Sequence, residues 1–314
     1  MTPGLMTHPI GLVMGEGSEA VRFSSLGLWR AWHWEPAVLL MLAGSAVLYG
    51  YGVRRLWASA GMGRGLPFWQ PAAFASGWLV LVVALISPLD SLSALLFSAH
   101  MVQHELLMVI AAPLLVLGRP QVASLWGLPR AWGRGLGRWW GEAKWVRSLW
   151  HWLSTPLVAW LLHAAVLWGW HAPALYQAAI ERAWVHALQH LSFFGSALQL
   201  WWALLYNRHG RLGYGVGVLA VFTTAVHSSV LGALITASPA PWYRSYLPTT
   251  GAWNLTPLED QQLAGLIMWV PTGVIYLVAG LALFVAWLGE TERRVVQREA
   301  WGLATGRERW RSKA

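Results

Sequence analysis

Eleven histidines and no cysteine stand in this chain of 314 residues. His100 and His104 are four apart, so on a helix both rings leave the same face, and Met108 extends that stripe by four more. His186 and His190 repeat the spacing. Two imidazoles at i and i+4 can hold one metal ion between them. His163, His171 and His227 bring the set to seven, and Met268 offers a second thioether. The lack of cysteine excludes disulfides, iron–sulfur clusters and thiolate metal sites. Asp90, Glu105 and Asp260 are the carboxylates expected to act beside these groups. His8, His33, His151 and His209 fall in tails, loops or helix starts and read as solvated or interfacial. No nucleophile–base–orienter set and no phosphate loop is visible, so no enzyme activity is expected.

The elements that carry these residues must live in lipid. Hydrophobic residues make up 56% of the chain and charged residues 11%, against about 25% charged in soluble domains. Mean hydropathy is +0.46. The 25 tryptophans suit membrane interfaces and helix packing. A span needs about 20 apolar residues. Seven segments qualify, at about 36–53, 68–88, 92–117, 152–170, 186–206, 214–236 and 262–288. The expectation is an all-α membrane protein, a bundle of seven transmembrane helices over residues 35–289. It is preceded by a tail, 1–34, without the apolar core of a signal peptide, and followed by a basic tail, 290–314, expected to extend the last helix and then become disordered. Pro113 and Pro271 lie inside spans and predict kinks.

Net charge is +9. In a soluble protein this would suggest nucleic acid; in a membrane protein it reports orientation, and no nucleic-acid partner is expected. With the N-terminus outside, only Arg22, Arg30, Arg182 and Arg244 of the 22 basic residues lie in outer segments. The other eighteen lie in inner segments and none within a span, as the positive-inside rule requires. The C-terminus is then cytoplasmic. The basic, tryptophan-rich loop 118–150 reads as a topology determinant, with an interfacial amphipathic helix as the second reading. The same orientation puts all seven histidines on the outer side.

Ionisable groups within a membrane are costly and mark function. Asp90 and Asp260, at the mouth, are expected to concentrate cations and to orient imidazole N–H groups. Glu105 needs a partner or a proton, and Gln103 and Gln189 are expected to bond between helices. Imidazole with thioether, on an oxidising side, favours copper without excluding zinc. Haem is the runner-up: two histidines from different helices could ligate a b-type haem. A copper or other cation transporter is a third reading.

Longer motifs point to a family. His100-Met101-Val102-Gln103-His104-Glu105-Leu106-Leu107-Met108, followed by Ala112-Pro113-Leu114-Leu115-Val116-Leu117-Gly118-Arg119-Pro120, resembles the signature of the caa3-type cytochrome c oxidase assembly factors, CtaG. Trp170-His171-Ala172-Pro173-Ala174-Leu175-Tyr176, His186-Ala187-Leu188-Gln189-His190 with Trp201-Trp202, and Asp260-Gln261-Gln262-Leu263-Ala264-Gly265-Leu266-Ile267-Met268-Trp269 are similar to further family elements, in the same order. The resemblance covers about residues 33–288. It implies a multi-pass protein of the bacterial plasma membrane that assembles a haem–copper oxidase, with delivery of copper to the CuB centre of the catalytic subunit as the expected task.

Overall fold

The computed structural model describes residues 31–206 and 213–311, with side chains at 31–206 and 215–293. The described residues form helices joined by short turns. Helix α1, Pro36–Ala60, starts on a proline whose missing N–H costs nothing there, and ends at Gly61, whose φ of +94° a side chain would resist. Helix α2, Trp69–Leu85, is followed by a short α3, Pro88–Ser93, capped by the Ser87 hydroxyl accepting from the Leu89 N–H at 3.2 Å.

Helix α4, Phe97–Leu117, carries the first histidine pair. Its middle turn, Leu106–Ala111, is π-helical. Pro113 cannot donate to the carbonyl four residues back, and this widened turn stands just N-terminal to it. Arg119 then turns left-handed, φ 49°, because Pro120 disfavours a helical residue before it. Helix α5, Pro120–Gly127, packs on α1 so closely that a Cβ built on Gly52 would lie 1.8 Å from the Ala123 carbonyl oxygen.

Two helices follow that bury no residue, α6, Arg130–Glu142, and α7, Lys144–Leu153. On α6 the helical period gathers Arg130, Arg134 and Arg138 on one face and Trp132, Leu136 and Trp139 on the other. α7 separates Lys144 and Arg147 from Trp145, Leu149 and Trp152 in the same way. A 70° bend then leads into α8, Pro156–His171. Helices α9, Pro173–Glu181, α10, Ala183–Tyr206, and α11, Gly213–Ala237, complete the middle of the chain. Two 3-10 turns, Arg244–Tyr246 and Thr250–Trp253, precede α12, Pro257–Arg311.

By length and composition α1, α4, α11 and the Pro257–Arg293 part of α12 can cross a membrane, and the bent α7–α8 pair makes a fifth. The chain is therefore a multi-pass membrane protein, all-helical with four to five candidate spans among the described residues. Each of the seven expected segments falls on helix. However, α2 has only 17 residues, and α10, though 24 long, carries His186, Gln189, His190 and Gln199 and is not apolar enough. Boundaries also moved. The third segment begins at Phe97, since Pro88–Ser93 is a separate helix, and the last helix runs through Pro271 and on to Arg311. The tail expected at 1–34 lies outside the described residues except for its end, as do Arg22, Arg30, His8, Arg208, His209 and Arg211.

Two apolar cores hold the bundle. One joins α4, α8, α10, α11 and α12; the other joins α1, α2, α5 and the π turn of α4. α11 and α12 meet at two glycines: a Cβ on Gly232 would lie 2.8 Å from the Gly265 carbonyl oxygen, and one on Gly265 2.6 Å from that of Gly232. Small residues let membrane helices approach like this. Leu40 and Val47, about 70% exposed, face outward, as lipid-facing residues do.

Candidate metal centre

Asp260 sets the position of the first histidine pair. The residue before α4 is Leu96, which offers no side-chain cap. The orphan N–H groups of a helix start need acceptors, and its positive end favours an anion. Asp260, fully buried at the start of α12, supplies both: its carboxylate accepts from the Phe97 N–H at 2.7 Å, and from the Ser98 N–H at 3.1 Å and hydroxyl at 2.5 Å. It thus fastens α12 to α4 two residues before His100. Its hydrogen bonds go to this cap and not to an imidazole, contrary to the orienting role expected for it.

His100 and His104, 0% and 1% exposed, face each other with Nε2 atoms 2.9 Å apart. His190 joins them from α10, and one ligating atom from each of the three lies within 4.8 Å of the others. His186 stands beside this group, its ring 4.1 Å from that of His190 and 5.2 Å from that of His100. Both i, i+4 pairs thus meet at one end of the bundle.

The protons of this group can be followed. The Tyr246 hydroxyl donates to the Ser93 carbonyl at 3.2 Å, since a carbonyl only accepts. His100 Nδ1, 3.0 Å away, then donates to the Tyr246 oxygen. The His100 Nε2 lone pair is left facing His104 Nε2, which supplies the proton between them. His104 Nδ1 has no partner, and neither do the buried Nε2 atoms of His186 and His190. Thirteen buried side-chain polar atoms among the described residues lack a partner, and three of them belong to imidazoles of this one group. A tetrahedral cation with bonds of about 2.0–2.1 Å needs nitrogens about 3.3–3.4 Å apart. Small rotations of the His100–His104 pair reach that separation once a cation replaces the proton.

Tyr246 and Tyr176 stand beside His100, their hydroxyls 3.1 Å apart. Burial pushes both phenols well above their ordinary range, so they stay protonated donors. Neither has metal-ligand spacing in the sequence, although Tyr176 closes the motif that begins at Trp170.

The other expected residues divide. His171 is buried at the end of α8, with Nδ1 2.7 Å from the Leu167 carbonyl and Nε2 3.5 Å from the Met101 sulfur. His163 bonds Ser196 between α8 and α10 at 3.1 Å, and His227 lies against Trp160, ring centres 5.7 Å apart, with both nitrogens unpartnered. Met108 and Met268 are buried in the apolar core. Met101, absent from the expected set, is the thioether found against an imidazole.

Asp90 accepts from Gln103 Nε2 at 2.7 Å and pairs with His33 Nδ1 at 2.5 Å. His33 is thus only partly solvated, and it pins the described end of that tail to α3. Gln103 also donates to the Ala84 carbonyl at 2.7 Å, an interhelical bond as expected. Glu105 has found its partner, accepting from the Thr272 hydroxyl of α12.

Known proteins add an independent line. The sequence profile of the cytochrome c oxidase caa3 assembly factors (Caa3_CtaG) matches residues 47–290. The uncharacterized protein Mb0105 of Mycobacterium bovis is 27% identical over 274 residues, covering 85% of this chain and 41% of its own length. The uncharacterized protein ML1998 of Mycobacterium leprae is 25% identical over 245 residues, covering 76% of this chain and 37% of its own length. The chain thus spans about two fifths of these longer relatives. No solved structure matches.

Proposed function

Because the chain belongs to the cytochrome c oxidase caa3 assembly factor family, we propose that His100, His104 and His190 bind copper and hand it to the CuB centre of a haem–copper oxidase catalytic subunit. The observation that carries this reading is the approach of one ligating atom from each of three imidazoles to within 4.8 Å of the others, with His104 Nδ1 and His190 Nε2 lacking partners. His186 completes or exchanges the coordination. His163, His171 and His227 are further stations, and Met108 and Met268 are soft auxiliary groups. Neutral imidazoles without an anionic ligand suit a carrier that must release its cargo.

The reading takes the protein as a metallochaperone of the bacterial plasma membrane. It crosses the bilayer seven times, with α2 and α10 as short or polar spans, the N-terminus outside and the C-terminus in the cytoplasm. The asymmetry of basic residues supports this orientation.

Copper content of the purified protein is the test. The wild type should carry copper, and a His100→Ala/His104→Ala double variant should lose it while keeping its helical circular dichroism. Unchanged loading in the folded double variant, or a bis-histidine haem spectrum from the wild type, overturns the assignment.

A further inference from the structure

His171 and Met101 make a contact that hydrogen bonding does not explain. The Leu167 carbonyl has no proton, so His171 Nδ1, 2.7 Å away, must be the N–H. In the neutral ring Nε2 is then a bare lone pair. It points at the Met101 sulfur from 3.5 Å, and a thioether also has no proton to give. Two electron-rich atoms face each other in a site where both residues are 2% exposed or less. A doubly protonated ring would be a buried cation, and among the described residues the ion pair within 4 Å is His33–Asp90, not one at His171.

The separation suits a metal. Metal–nitrogen bonds of about 2.0–2.1 Å and a metal–sulfur bond of about 2.3 Å at the tetrahedral angle put nitrogen and sulfur about 3.5 Å apart. Thioether selects soft, monovalent cations of the Cu(I) class. We propose that His171 Nε2 and Met101 Sδ form a second site, for a soft monovalent metal ion, separate from the trihistidine group. Only two protein donors are in place, so the remaining positions are open to an incoming or outgoing ligand, as transfer requires. The first site is one ring away: Phe193 lies 4.6 Å from the His104 ring and 5.9 Å from the His171 ring, centre to centre. As a station for copper the pair rests on the proposed function; as a soft-metal site it does not.

The test uses Ag(I), a soft monovalent probe, on the full chain labelled with methyl-13C methionine. The chain has eight methionines, so eight methyl signals, and Met101→Leu identifies the relevant one. The Met101 signal should move on Ag(I) addition in the wild type and also in the His100→Ala/His104→Ala variant. It should stop moving in His171→Ala, whose other seven signals report that the fold is kept. An unmoved Met101 signal in the wild type at saturating Ag(I), or movement that persists in His171→Ala, overturns the site. A wild type that shifts with Ag(I) but takes up no copper overturns the copper-delivery reading alone.

Discussion

Asp260 is the residue on which the geometry of the site turns. It accepts three hydrogen bonds from the start of α4. Asp260→Asn removes the charge and turns an amide N–H₂ toward donors. Charge-assisted bonds are worth about 1.5–3 kcal/mol each, so the variant should lose about 2 kcal/mol of stability, seen as a lower unfolding temperature in detergent, and should bind less copper. At this scale the two histidine pairs were legible because i, i+4 spacing is local. Met101 was not: one residue from His100, it leaves the helix some 100° away and meets α8. Nor was the contact of His33 with Asp90, made across 57 residues.

Among the elements, the π turn Leu106–Ala111 explains the fate of the expected His–His–Met stripe. The stripe assumes a constant period. Met108 lies within that wider turn, so its angle from His104 departs from the α-helical value of about 40°, and it is buried in the apolar core. Span positions, by contrast, were readable, because apolar length is a property of a segment alone. The glycine crossing of α11 and α12 makes a firm prediction. Gly265→Val drives a side chain into the Gly232 carbonyl and Thr236, and overpacking costs about 1–3 kcal/mol; the unfolding temperature should fall, and copper loading with it, since α12 carries Asp260. For α6 the segregated faces and the lack of any buried residue predict a helix lying along the membrane surface. Spin labels at positions 132 and 139 should be relaxed by lipid-dissolved oxygen, and labels at 130 and 134 by a water-soluble nickel complex. Equal access at all four positions would sink that placement.

At the scale of the whole molecule, orientation decides which compartment supplies the metal. The chain has no native cysteine, so single cysteines report sidedness directly. Ser245→Cys should react with an impermeant maleimide in intact cells, and Thr291→Cys only after permeabilisation; the reverse result would turn the histidine group toward the cytoplasm. The Asp260 cap also places the site in time. Phe97 leaves the ribosome 163 residues before the carboxylate that holds it. At about 5–20 residues per second, α4 waits roughly 10–30 s for its cap. The histidine group is therefore among the last features to close during synthesis, and a nascent chain halted before α12 would present its histidines without the anchor that aligns them.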